Sequence, residues 1–309
     1  MIYSVTLNPS LDYFIGLNDF ELGETNRTDS ERIVAGGKGV NVSEVLRNMG
    51  FRTRDVVATA GFVGDEIERR LRGRGADCVF VRTPGLSRIN VKIKSAQETE
   101  INGRGAPVGE EGIAEMLRAL DGMTSGDVLV LSGNAARGTP ADIYERFLRL
   151  AYARGAFATV DAHGSLFRST LAYAPRLVKP NLDELRMLYG EDVAEENVPE
   201  YADRLRADGA RNAVVSLGGK GAVMSGEDGG LYRASPPAGK LVNSTGAGDS
   251  LVAGFIAATL RGASVPEAFR FAVATGSACA YAEGFPSESD VRALLPGCTV
   301  TVLRPPRAE

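Results

Sequence analysis

The chain contains no tryptophan, one histidine (His163) and three cysteines in 309 residues. A lone histidine excludes mechanisms built on a histidine pair, so proton transfer falls more naturally to a carboxylate. Cys78, Cys279 and Cys298 are odd in number and widely spaced, which supports neither a disulfide framework nor a zinc site. They fit a reducing, cytoplasmic setting. The longest apolar candidate, LVAGFIAATL, is half of the ~20 residues that a membrane span needs. The amino terminus, MIYSVTLNPSLD, has no basic lead and carries Pro9 and Asp12 early, unlike a secretory signal. An excess of positive charge is missing too: 35 Lys and Arg stand against 39 Asp and Glu, for a net charge of −4. That balance argues against a nucleic-acid partner.

What is present is a rhythm. Strand-like runs occupy 2–7, 55–60, 127–132, 157–162, 176–180 and 212–217, rich in valine and leucine and without clean alternation. Such runs suit strands buried on both faces. Helical patterns such as VNVSEVLRNMG, IAEMLRALDGM, PADIYERFLRLAYARG and PEYADRLRADG lie between them, several stopping at glycine. The repetition predicts an α/β layered fold with a mainly parallel central sheet, as one domain over 1–309. Segments 13–37 and 87–105 break the rhythm, with strand-like runs and no helix between or directly after them. They predict a small β-sheet built from two insertions, serving as a lid or a dimer contact. INVKIK alternates cleanly, as a half-exposed antiparallel strand would, with Asn90, Lys92 and Lys94 on one face.

Polar clusters follow many of the core strands: NPSLD, SGN, DAHG, KPNLDE and SLGGKG. In an open parallel sheet ligands bind outside the carboxyl ends of the strands, so these clusters predict a large site on one rim. GGKGVNVS is not a Walker A loop, because Arg32 stands where its first glycine belongs and Gly39 where Ser or Thr belongs. NSTGAGDS lacks the lysine as well. Its TGAG does open an apolar helix, whose free amides and partial positive charge suit an anion. Asp249 in that first turn is either an ordinary helix-favouring acid or a general base beside an anion hole. Asn181 and Glu184, three apart, are either a capping box or organisers of the water shell of a phosphate-bound magnesium. Lys38, Arg88 and Lys92 form either a solvated charge set or a cationic clamp for a phosphorylated substrate. His163, alone after a strand, reads as structural, though its loop lies on the rim.

GGKGVN, VKPNLDEL, SLGGKG and STGAGDSLVAGF occur in the order found in the ribokinase/PfkB superfamily of sugar kinases, which the chain resembles from Ile2 to about Gly284. TLNPSLDY, GETNR, SRINVKI and TEING resemble its branch acting on fructose 1-phosphate, with the tagatose 6-phosphate branch close by. The resemblance implies a ribokinase-like three-layer fold and transfer of the ATP γ-phosphate, with Mg2+, to a primary hydroxyl of a phosphosugar. It implies Asp249 as base and Gly246, Ala247 and Gly248 as anion hole. Asp12, Gly37, Lys38 and Asn41 are implied at the sugar, and Arg88, Asn90 and Arg27 at its phosphate. Lys179, Asn181, Ser216, Gly218 and Gly221 are implied at the nucleotide, and Asn181 with Glu184 at the metal through water or phosphate. A homodimer through the lid is a further expectation. The chain departs from the pattern at SGNAARG, where Asn134 replaces a substrate-side serine and Arg137 adds a charge. It departs again at DAHG, which puts His163 near the pocket in place of a small hydroxyl residue.

Overall fold

The computed structural model describes residues 1–190 and 192–307. The strands begin with β1 (Ile2–Thr6), β2 (Ser10–Gly16), β3 (Ser30–Gly36), β4 (Thr53–Thr59) and β5 (Cys78–Arg82). They continue with β6 (Arg88–Lys94), β7 (Glu98–Asn102), β8 (Val128–Ser132), β9 (Phe157–Asp161) and β10 (Leu177–Val178). The last are β11 (Ala213–Ser216), β12 (Ala222–Ser225), β13 (Leu231–Ser235) and β14 (Thr299–Arg304). The helices are α1 (Lys38–Asn48), α2 (Gly61–Gly73), α3 (Glu110–Leu120), α4 (Ile143–Ala153) and α5 (Gly164–Thr170). After these come α6 (Leu182–Tyr189), α7 (Val198–Ala207), α8 (Ala247–Leu260), α9 (Val265–Ala280) and α10 (Glu288–Leu294).

The main sheet runs β14-β13-β12-β11-β10-β9-β8-β1-β4-β5. Pairing is parallel from β11 to β5. The apolar β1 and β8 are buried at every position because both sheet faces are covered. Successive residues of a strand feed opposite layers. Tyr3 and Val5 pack with Met116, Phe147 and Leu205 of α3, α4 and α7. Ile2 packs with Leu46, Val252, Phe255 and Phe269 of α1, α8 and α9. The result is the layered α/β arrangement that the strand and helix patterns predict, with the three layers that the family resemblance implies. Beyond β11 the sheet turns antiparallel through β12, β13 and β14, an edge that the strand runs read from the sequence do not include. Among the described residues no helix is long and apolar enough to cross a membrane.

The two irregular segments meet as a separate four-stranded sheet, β3-β2-β6-β7. Its first strand begins at Ser10, ahead of the expected boundary at residue 13. INVKIK departs from its expected setting in two ways. Its strand, β6, is antiparallel to β7 but parallel to β2. Its polar face is also covered over Asn90 and Lys92, whereas Ile89 on the other face is 42% exposed; towards the end of the strand Ile93 is buried and Lys94 exposed. Alternation read from sequence finds the two faces of a strand but not which one meets water. Here the polar face is turned to the body of the protein.

Candidate active site

At the rim, the chain enters α8 through Gly246, whose φ of +85° lies in the left-handed region that glycine favours. A Cβ there would sit 2.7 Å from the Phe285 ring. α8 is built from small and apolar residues and is buried from Asp249 to Ala258, so its first amides are fixed in place. Asp249 is 6% exposed and accepts a hydrogen bond from Asn41 Nδ2 at 2.8 Å. Asn41 in turn lies in the first turn of α1, which starts after Gly37. A Cβ on Gly248 would lie 3.3 Å from Lys179 Nζ, so the bare glycine lets an ammonium rest against the loop.

A charge network underlies this loop. Asp161, at the end of β9 and fully buried, accepts from Lys179 at 3.3 Å and from Lys38 at 3.4 Å. Lys38 also reaches Glu184 Oε1 at 3.4 Å. Burial disfavours the Lys38 charge, but Asp161 and then Glu184 outweigh it and raise the ammonium's pKa. Burial likewise works against the Asp161 carboxylate, and the two lysines overcome it to hold Asp161 below the usual carboxylate range. Asp249 is the exception. Burial pushes its pKa up to about 6, against the pull of Lys38 and the Asn41 hydrogen bond. A carboxyl poised there can accept a proton near neutral pH.

The small sheet supplies the facing wall. Asp12 Oδ1 accepts from Ser10 Oγ at 2.7 Å and from Asn90 Nδ2 at 2.8 Å, its register partner on β6. Asn90 Oδ1 also accepts from the Gly103 amide at 3.2 Å. Arg88, opposite Ser10, has a pKa lowered by burial and partly restored by Asp12, and its buried Nε has no partner among the described residues. Lys92 donates to Glu100 Oε1 at 2.8 Å and to Thr245 Oγ1 at 3.2 Å, crossing from the small sheet to the loop before α8. Arg27 lies exposed between β2 and β3, and no hydrogen bond or ion pair among the described residues draws it to the others.

On the far side, Asn181 and Glu184 form a complete capping box for α6: Glu184 N–H donates to Asn181 Oδ1 at 2.8 Å and Asn181 N–H to Glu184 Oε2 at 2.9 Å. Capping leaves Glu184 Oε1 free to face Lys38 and His163, so the local and the functional readings of this pair are compatible. Asn181 bridges to Ser216 at the end of β11. Gly218 borders open space, whereas a Cβ on Gly221 would strike the Ala234 carbonyl at 2.0 Å, a demand of strand packing.

The Asn134 amide is doubly occupied: Oδ1 accepts from the His163 amide at 3.2 Å, and Nδ2 touches His163 Nε2. His163 Nδ1 lies 3.7 Å from Glu184 Oε1, and burial lowers the ring's pKa. The histidine read as structural thus joins the rim cluster, while Arg137 on the same loop is exposed. Sequence reasoning missed Asp161 as a site residue. Its signal was available in DAHG, a carboxylate closing a buried strand.

The fold and this rim define a carbohydrate kinase. The chain belongs to the pfkB family of carbohydrate kinases, whose model matches residues 5–288, and its fold is ribokinase-like. It is therefore a phosphotransferase to an alcohol group. The 1-phosphofructokinase of Bacillus subtilis is 38% identical over 98% of this chain and 100% of its own length. The D-tagatose-1-phosphate kinase of Bacillus licheniformis is 33% identical over 92% of this chain and 94% of its own. Among solved structures, a phosphofructokinase-like protein of Staphylococcus aureus superposes with a TM-score of 0.81 at 36% identity, over 98% and 99% of the two chains.

Proposed function

We propose that this protein transfers the γ-phosphoryl group of ATP to the free primary hydroxyl of fructose 1-phosphate, giving fructose 1,6-bisphosphate. The observation that carries the reading is Arg88. Its half-buried guanidinium has a buried Nε, unpartnered among the described residues, beside the Asp12–Asn90 pair, an arrangement to which a phosphate is better matched than a neutral sugar. Asp12 and Asn90 hold sugar hydroxyls. Asp249 takes the proton of the attacking hydroxyl on a carboxylate oxygen. The amides of Gly246, Ala247 and Gly248 serve as the anion hole for the transferred phosphoryl group, with Lys179 against Gly248; the Ala247 N–H, which donates to the Ser244 carbonyl at 3.3 Å, has to turn from it to do so. Lys38 and Asn41 set the charge and orientation of Asp249.

Magnesium fits the residues present. No group of three or more His, Cys, Asp or Glu forms a metal cage among the described residues, but Glu184 Oε1 and the unpartnered, buried Asp161 Oδ2 are hard oxygen acceptors. Such acceptors suit the water shell of an ion that is bound chiefly through phosphate. When bound, the ion would neutralise charge on the phosphates. The chain works as one kinase domain over 1–309, in a cytoplasmic setting that keeps its three thiols free. Its lid excludes water when closed. The lid's outer face exposes Ile33, Ile89 and Ile101, and a second copy joined lid to lid would cover them. Light scattering should then give a dimer mass that Ile89→Asp shifts to monomer. A monomeric parent would contradict this pairing.

A second reading, tagatose 1-phosphate, is favoured by the Bacillus licheniformis relative and by the Asn134–His163 pair, which alters the substrate rim. A panel of fructose 1-phosphate, tagatose 1-phosphate, tagatose 6-phosphate and fructose 6-phosphate decides it. The highest kcat/KM belongs to fructose 1-phosphate under this proposal, and a higher value for any other member overturns it.

A further inference from the structure

Arg88 and Lys92 lie on the same inward face of β6, four residues apart, which separates them by about 13 Å along the strand. Lys92 is turned to Glu100 and Thr245 whereas Arg88 lies by Asp12, so the pair is not arranged as a single clamp. Between them, Asn90 and its partner Asp12 occupy the middle of the same face. The sugar's own phosphate belongs at the Arg88 end. Lys92 stands at the other end, where the strand overhangs Thr245, the residue before Gly246.

The Lys92 side chain is 8% exposed, a costly place for an ammonium. It has three N–H donors. Glu100 Oε1 and Thr245 Oγ1 accept from it at 2.8 Å and 3.2 Å, and its Nζ stands 5.7 Å from the centre of the Phe14 ring. That leaves one donor with no acceptor among the described residues. Glu100 is 42% exposed, so its charge is screened and offsets the buried ammonium incompletely. A buried cation with a spare donor, held at the mouth of an anion-binding loop, is matched to an anion passing through that mouth.

We propose that Lys92 is a catalytic residue carried by the lid, whose third N–H donates to a non-bridging oxygen of the phosphoryl group in transit. This rests on the phosphoryl-transfer reading above. In the step, the sugar hydroxyl oxygen forms a bond to phosphorus, the bond from phosphorus to the nucleotide's leaving oxygen breaks, and the hydroxyl proton passes to Asp249. Lys92 gains and loses no proton; it stabilises charge on the moving group. Because the ammonium comes from the lid, the transfer site is complete only when the lid is over the sugar. Closure then switches on the chemistry as well as excluding water.

The test compares the parent with Lys92→Met, which keeps the apolar stem over Phe14, and with Thr245→Val, which removes the contact but keeps the charge. It uses whichever ketohexose phosphate the parent turns over, so a failure of the fructose 1-phosphate assignment leaves the Lys92 result readable. Lys92→Met should lower kcat by about 10²–10³-fold, as loss of one preorganised donor to a transition state does. Its dissociation constant for the sugar phosphate, measured by calorimetry, should be unchanged. Binding of ADP with aluminium fluoride and sugar phosphate should weaken in parallel with kcat. Thr245→Val should lose less than Lys92→Met. An unchanged kcat with weakened sugar-phosphate binding would make Lys92 a ground-state clamp and overturn the proposal. Equal losses in the two variants, or a Lys92→Met protein that no longer folds while Thr245→Val loses as much as a lid strut would, also overturn it.

Discussion

Floor and lid treat charge in opposite ways. On the floor, charge is balanced internally: Asp161 lies between Lys38 and Lys179, and Glu184 takes a second contact from Lys38. On the lid, the balance is left open. Among the described residues Arg88 Nε has no partner and Lys92 keeps a donor in reserve, whereas the atom left open on the floor is an acceptor, Asp161 Oδ2. The two also differ in how they are held. The floor's groups sit at strand ends and in the first turns of α1, α6 and the buried helix α8, whereas the lid strands are joined to the body by side-chain bonds such as Arg70 to the Ile33 carbonyl at 2.7 Å. A self-balanced floor can serve phosphoryl transfer to many sugars. A lid with unsatisfied cationic donors is completed only by an anionic one.

Breaking the floor at its base should give the largest effect. Asp249→Asn should lower kcat by about 10²–10⁴-fold while calorimetry shows sugar-phosphate binding unchanged. A non-catalytic sensor would lose nothing. The same variant should be more stable than the parent at pH 8. Burial lifts the native pKa to about 6, so the native state binds this proton more tightly than the unfolded chain does. The penalty for ionising Asp249 therefore appears as pH rises from about 4 to 6 and is full above, at about 3 kcal/mol. The difference in Tm between variant and parent should shrink as pH falls towards 4.

Next in size is the balance itself. Asp161→Asn leaves Lys179 without its carboxylate and Lys38 with Glu184 alone, and should cost about 3 kcal/mol in denaturant unfolding, as orphaning a buried charge does. On the lid, Arg88→Met should lower kcat/KM for the sugar phosphate by about 10²-fold, chiefly through KM, by removing charge-assisted hydrogen bonds. Stability should change little. If Arg88→Met instead lowered kcat with KM constant, the placement of the sugar's own phosphate at Arg88 would fail. The smallest effect is expected at the rim between them. His163→Ser frees Asn134 Nδ2 while the backbone bond to its Oδ1 stays, and should shift the kcat/KM ratio of fructose 1-phosphate to tagatose 1-phosphate by less than about tenfold.

Much of this comparison can be read along the chain, and the rest cannot for physical reasons. The parallel core was legible because strands covered on both faces must be apolar throughout, as IYSVT and VLVLS are. The edge from β12 to β14 was not, because short strands such as AVMS carry too little pattern. GAGD announced an anion loop, and the single helix that follows it places Asp249. DAHG marked Asp161 as a carboxylate closing a buried strand, but not its two lysine partners, which lie far off in sequence. The lid's polar face was visible in INVKIK, but its direction was not, since alternation is the same whichever face is covered. Arg27 was expected with Arg88 and Asn90 yet stands exposed, because the loop between β2 and β3 brings it no partner there.

The proposed role of Asp249 is to take the proton from the sugar hydroxyl. The pH dependence of kcat/KM for the preferred sugar phosphate tests it most directly. The predicted profile is flat above pH ~7 and falls about tenfold per unit below pH ~6, where the carboxylate to which burial gives a pKa of about 6 becomes protonated. An acid limb near pH ~4, or a residual activity in Asp249→Asn that keeps the parent's limb, would contradict it.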